Sequence, residues 1–380
     1  MRQALDDTAS SQVRKRATTR ALAALAISCA VILMPLVVPT AASAVSIGEG
    51  NNSTGIAYEG SDHTLMFRWQ TYGTGAWNRE EVAGKNTTYS APAIAETSDS
   101  TVIAYEGYGH TLMFRWQTYG TGAWNREEVA GKDTTYSEPS IAEINNSNSI
   151  AVEGRHHGLD LYWQGYGNAQ WNEEVVASSD ATYAAPSLTC GSDYTDIVVE
   201  GPNHSLIDWY QAWDVGGWGQ TTIAGKDTTY SAPSAMDWST HSFLGGDEFE
   251  QVAYEGPSNS LRFYWFDIMG EKNGRETIAG PGTTFSAPSM AMGNNSTSIT
   301  TESLGHSLVF YWQTIGSATW NPELVTGALS TYSAPSIAEG NNSTSLTAEG
   351  PDHSLLFYWQ TYGKAAWNEE MPAGFGTTYT

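Results

Sequence analysis

Apolar and polar residues alternate in short runs along most of this chain, and residues 336–379 show the unit. Ser336-Ile337-Ala338-Glu339 is a short apolar run, followed by Gly340-Asn341-Asn342-Ser343, residue types that favour a turn. Thr344 to Glu349 is a second run. Gly350-Pro351-Asp352-His353 follows as a tight turn, with Pro pre-setting φ at its second position. Leu355, Phe357 and Trp359 alternate along a third run, the period of a strand and not of a helix. Tyr362-Gly363-Lys364-Ala365 is the next turn, and Trp367 to Ala373 the fourth run. Gly374 and a linker through Thr377-Thr378-Tyr379 close the unit. We name the four predicted strands A to D. No helical period occurs after residue 44.

The unit is written seven times. Its strand C anchor is Trp69, Trp116, Trp163, Tyr210, Trp265, Trp312 and Trp359, at spacings of 47, 47, 47, 55, 47 and 47 residues. Residues 58–90 and 105–137 differ at only three of 33 positions. Periods of this size mark propellers, solenoids or arrays. An open stack needs atypical capping repeats, yet the first and last repeats here are regular. Tyr379-Thr380 aligns with Tyr332-Ser333, and Val45-Ser46-Ile47-Gly48-Glu49 aligns with Pro335-Ser336-Ile337-Ala338-Glu339. The end therefore leads into the beginning. The expected fold is all-β: a closed seven-bladed β-propeller over residues 45–380, with four antiparallel strands per blade. Eight extra residues lie before strand B of repeat five, within Trp238–Glu250. In an up-and-down blade the A–B and C–D turns share one face of the disc. The B–C turn and the D-to-A linker share the other.

Residues 1–44 stand apart. Arg14, Lys15, Arg16 and Arg20 precede an apolar run from Ala21 to Val38, and Ala42-Ser43-Ala44 supplies a small-residue cleavage pattern. This predicts a secretory signal peptide cleaved after Ala44 and an extracellular protein; the alternative is an uncleaved N-terminal anchor. No other apolar stretch is long enough to span a membrane. Without the leader, 12 Lys+Arg face 39 Asp+Glu. Such a surface repels phosphate backbones and makes nucleic acid a poor partner. Cys190 is the one cysteine left, so no internal disulfide forms, and a free buried thiol is expected.

Three residue sets repeat. The strand C aromatics alternate with Leu and Phe, which predicts core. The tryptophans opening strand D are Trp77, Trp124, Trp171, Trp218, Trp320 and Trp367. They follow small residues, where a sugar face can stack on an exposed indole whose N–H stays available; the alternative is closure of the outer strand. The B–C turns carry His63, His110, His157, His204, His306 and His353. They share a face with the linker tyrosines Tyr89, Tyr136, Tyr183, Tyr230, Tyr332 and Tyr379. Glu59, Glu106, Glu153, Glu200, Glu302 and Glu349 end strand B nearby. Glu, His and Tyr converging at a blade junction can hold hydroxyls; alternatively His and Glu satisfy turn backbone groups. His156-His157 is a poor metal pair, because neighbours on a strand diverge. No metal or cofactor is implied. Repeat five replaces the turn His by Asn259, the Trp-Gln pair by Trp265-Phe266 and the strand D Trp by Asn273, so it is expected to be silent.

A strand A after Pro, a Gly turn before strand C, a strand C ending Trp-Gln and a Gly-x-x-Trp turn into strand D recur together. The segments are Ser90-Ala91-Pro92-Ala93-Ile94, Glu106-Gly107, Leu112 to Gln117 and Gly122-Ala123-Trp124. Across residues 45–380 the chain resembles the seven-bladed propeller lectins typified by the Photorhabdus luminescens lectin. It also looks like repeat arrays of secreted actinobacterial proteins. The resemblance implies multivalent binding of glycans, of fucose-like or O-methylated sugars, at sites repeated around the ring. Two other function classes stay open: a protein-binding or cell-surface adhesion scaffold, and a glycoside hydrolase or lyase. A glycosidase needs a defined pair of carboxylates. Here the acids repeat with the module, and no Asp-box, GxSxG or HExxH occurs. Asp247, Glu248 and Glu250 of the insertion are the one unique acidic group.

Overall fold

The computed structural model describes residues 45–379, apart from 51, 98, 145–146, 166–169, 192–193, 213–215, 240–247, 268–271, 294 and 341. The predicted leader and most of the insertion, including Asp247, lie outside the described residues. The described chain forms seven four-stranded antiparallel sheets, each in the order A-B-C-D. The blades span residues 45–83, 93–130, 140–177, 187–224, 234–279, 289–326 and 336–373. In blade 1 the strands are Val45–Gly50, Ser53–Gly60, Thr64–Thr71 and Asn78–Ala83. Every blade carries a register shift between strands C and D just after the first strand C leucine, such as Leu65/Met66 and Leu206/Ile207. Such a bulge increases local twist and turns the outer strand.

The core lies between blades rather than within one. Ala57, Leu65 and Phe67 of blade 1 pack with Ile94, Ile103, Tyr105 and Met113 of blade 2. The outer strand D is charged, and Pro322 and Pro372 sit in it, both of which blunt an exposed sheet edge. Closure uses the same contacts as every other junction. Val45, Ile47, Ile56, Tyr58 and Met66 pack on Leu355, Phe357 and Ala373 of blade 7. The Tyr379 N–H donates to the Glu59 carbonyl at 3.0 Å, as Tyr89 does to Glu106. Along the inner ring, a strand A serine of one blade accepts the strand A backbone N–H of the next. Ile47 to Ser336 (3.2 Å) completes the set that includes Leu188 to Ser140 (2.9 Å).

The strand C tryptophans correct one expectation. Phe67 is buried but Trp69 is only half-buried, and Trp163 is 40% exposed. Alternation puts both rings on one side of the strand, with Trp69 stacked on Phe67 at 5.6 Å. The side chain nearer the C–D turn reaches the rim of the blade junction. Phe fills the core, and Trp lines the opening above it.

Candidate functional site

The two repeated sets occupy opposite faces. On the linker face, each B–C turn needs left-handed backbone, with φ of 63° and 58° at Asp62 and His63. That conformation is costly for most residues, and His, Asn and Asp tolerate it best. Each His Nδ1 meets its strand B glutamate at 2.5 to 3.0 Å, and the turn carbonyl of His63 accepts the N–H groups of Thr87 and Thr88. The linker tyrosine lies flat on the imidazole: His63–Tyr89 at 4.8 Å, His110–Tyr136 and His157–Tyr183 at 4.4 Å, His204–Tyr230 at 4.9 Å and His306–Tyr332 at 4.6 Å. Glu, His and Tyr thus converge as the sequence predicts. Burial pushes the carboxyls of Glu59 and Glu106 up to about 7, against the lowering effect of the histidine. In blade 5, Asn259 donates to Glu255 at 2.8 Å and so keeps the bond that His makes elsewhere. The shared element is a donor that satisfies a buried glutamate from a left-handed turn.

On the other face, side chains of two neighbouring blades meet at each junction, in a seam we call a groove. Between blades 1 and 2, Trp124 meets the edge of Phe67 at 5.3 Å, beside Trp69. Its indole N–H donates to Glu80 Oε2 of blade 1 at 2.9 Å, and Gln117 Nε2 donates to the same oxygen at 3.2 Å. The arrangement repeats. Trp77 and Gln70 meet Glu370, and Trp367 and Gln360 meet Glu323. Trp171 donates to Glu127 and Trp320 to Glu276. Five of the six strand D indole N–H groups are therefore committed to the preceding blade, not available as expected. Trp218 is the exception: its N–H is buried without a hydrogen-bond partner. The strand D glutamates and strand C glutamines were not singled out in the sequence. Their signal was there, in the Trp-Gln pair and the glutamate three residues after five of the six strand D tryptophans.

Beneath each groove lies an inner layer. Between blades 1 and 2 it is Gly55, Phe67, Glu96 and Thr101; a side chain at Gly55 would press on Phe67 and Glu96. Burial raises Glu96 to about 6 although Tyr119 and Thr101 donate to it. Three junctions depart from this pattern, the one between blades 5 and 6 by placing Met292 at the Glu position. Between blades 3 and 4, Leu161 and Cys190 replace the Phe and the Glu, and a cavity of about 370 Å³ opens. Cys190 is half-buried at that cavity rather than fully buried, and burial pushes its thiol up to about 12. Between blades 4 and 5, the carboxylates of Asp196, Asp208 and Glu250 lie buried within 4.8 Å of one another. The outer residues there are Tyr210, Thr221, Phe266 and Asn273. The positions that repeat five replaces and those it keeps thus belong to two different grooves. Phe266 and Asn273 belong to the groove with blade 4, whereas Phe263, Trp265 and Glu276 build an intact groove with blade 6.

The sequence matches no protein-family model and no curated protein. Solved structures of propeller lectins are similar in fold. The BP39L lectin from Burkholderia pseudomallei superposes with a TM-score of 0.73 at 17% identity, covering 88% of this chain and 99% of that one. AofleA from Arthrobotrys oligospora gives 0.54 at 11% identity, covering 75% and 87%. The Aleuria aurantia lectin, a six-bladed propeller with a novel fucose recognition mode, gives 0.52 at 10% identity, covering 88% and 96%. At these identities the likeness is one of fold, and the chain shares the β-propeller architecture of these lectins.

Proposed function

We propose that this chain is a secreted, multivalent, non-enzymatic carbohydrate-binding protein, akin to the Photorhabdus-type propeller lectins, that holds sugars in the grooves between blades. The observation that carries the reading is the groove itself. Two tryptophans, a glutamate and a glutamine recur at six of seven junctions on one face of the ring. Indole faces take the apolar side of a sugar ring, and the carboxylate and amide take hydroxyls. The lectin character of the structural neighbours supports this, and the SapL1 lectin among them was solved with α-methyl fucoside. The leader pattern supports secretion after cleavage at Ala44. Fucose-like or O-methylated sugars are the first ligands to test.

Single sites on a shallow groove bind weakly, at roughly millimolar to micromolar Kd, or about −4 to −8 kcal/mol. Six sites facing one way gain by effective concentration on a glycan-covered surface. The decisive experiment is a glycan array followed by titration calorimetry with free methyl α-L-fucoside and with the same sugar on a dense surface. Tight surface binding with weak free-sugar binding supports the reading. Equal affinity for both, or no glycan bound, overturns it. Turnover of a fluorogenic glycoside panel would move the chain to the enzyme class.

One observation favours a second reading. Tyr108, Tyr183, Leu304, Leu329, Tyr332, Phe375 and Tyr379 are all exposed, and all lie in B–C turns or linkers. This concentration of apolar side chains on the linker face suits a protein-binding or adhesion scaffold. Pull-down that survives alanine substitution of the groove tryptophans but not of these residues would establish it.

A further inference from the structure

We propose that the groove between blades 3 and 4 is a specialised subsite that takes a neutral sugar carrying an acetamido group. This rests on the lectin reading above. Three features set the groove apart. First, its inner layer has lost two large side chains. Leu161 stands where five blades have Phe (Phe67, Phe114, Phe263, Phe310, Phe357), and Cys190 stands where others have Glu49, Glu96 or Glu339. A large-to-small exchange leaves a cavity when neighbours relax only partly. The resulting space of about 370 Å³ falls within the range of small-ligand pockets. Second, the lining is mixed: Leu161, Trp163 and Cys190 are apolar or nearly so, while Ser149, Thr195 and Gln211 offer hydrogen bonds. Third, the inter-blade bond is rearranged. Gln211 Nε2 still donates to Glu174, through Oε1 at 2.9 Å, but Trp218 N–H no longer has a hydrogen-bond partner.

An acetamido group has three parts: a methyl, a carbonyl and an N–H. Leu161 and Cys190 form an apolar floor for the methyl. Ser149, Thr195 and Gln211 line the cavity and offer donors for the carbonyl, and Trp218 packs on the same cluster as Leu161. Glu174 has remaining acceptor capacity for the N–H. The sugar ring then faces Trp163, the most exposed of the strand C tryptophans. At four other junctions Phe and Glu fill the inner layer, and between blades 5 and 6 Phe263 and Met292 fill it, so the substituent has no room there.

The test is calorimetry of the full mature chain with the methyl glycosides of N-acetylglucosamine and N-acetylgalactosamine, their parent hexoses, and methyl α-L-fucoside. Indole N–H signals are followed by NMR. One acetamido sugar should bind at one site per chain, at least tenfold tighter than its parent hexose, and shift the Trp218 signal. Leu161→Phe, which installs the residue of five other blades, should abolish that gain and leave fucoside binding elsewhere intact. Cys190→Met, using the residue of blade 6, narrows the same cavity and serves if the first variant folds poorly. Fucoside binding at other grooves without an acetamido preference would sink this inference alone. An acetamido gain that survives both variants would also sink it. No binding of any sugar would sink the lectin reading with it.

Discussion

The groove between blades 1 and 2 and the groove between blades 4 and 5 share a scaffold and almost none of their lining. Trp69, Glu80, Gln117 and Trp124 in the first become Tyr210, Thr221, Phe266 and Asn273 in the second. Below them, Gly55, Phe67, Glu96 and Thr101 become Asp196, Asp208, Asp237 and Glu250. The packing positions hold: Leu65, Ile103 and Ala57 correspond to Leu206, Val252 and Val198, all fully buried. Blade-to-blade adhesion therefore depends on strand B and the start of strand C. The upper half of the junction is free to vary without opening the ring, so its repetition at six junctions asks for a reason other than folding. On the lectin reading proposed above, ligand contact supplies one. The junction, not the repeat, would then be the functional unit, because each groove draws on two blades.

The largest difference should appear in stability. Phe67→Ala removes a buried ring and should cost about 3–5 kcal/mol in urea unfolding. At the matching position, Asp208→Asn relieves repulsion within a buried carboxylate group and should raise the midpoint. A fall there instead would mean that a counter-charge holds the acids, and the comparison would need redrawing.

The pH dependence sharpens the contrast on the linker face. Burial raises Glu255 from 4.5 to about 7, and its partner Asn259 carries no charge. The folded state therefore keeps a proton that the unfolded state gives up between pH 4.5 and 7. This group's contribution is most favourable below pH 4.5 and is lost as pH rises through 7, on the order of 3 kcal/mol. Glu255→Gln should flatten that part of the stability curve. An unchanged curve would show that Glu255 ionises normally.

For binding, Trp124→Ala should remove one of six sites in a calorimetric titration, whereas Asn273→Ala should leave the stoichiometry as it was. Equal loss from both would dissolve the distinction between the grooves. The smallest effect belongs to the histidines. His110→Asn should alter stability by less than about 1 kcal/mol, since Asn259 already makes the same bond to its glutamate. A fall in glycan affinity from this variant would place a sugar contact on the linker face.

The sequence by itself determined the strands, the turns, the seven repeats and the closed ring. Those features are local or periodic: alternation at two residues, Gly, Asn and Pro at turns, and a spacing of 47. It also marked the Glu–His–Tyr convergence, because Glu and His lie four residues apart and share a turn. It misassigned the strand C tryptophans, since alternation reports which side a residue faces but not its depth along the strand. Only the tertiary structure decided what fills the grooves. Trp124 meets Glu80 across 44 residues of chain and Gln117 meets it across 37, and both bonds cross from one blade to the next. The same holds for the cavity beside Cys190 and for the three acids between blades 4 and 5. Each is assembled from separate repeats, and a change that looks isolated within one repeat acquires its meaning only when the neighbouring blade is packed against it.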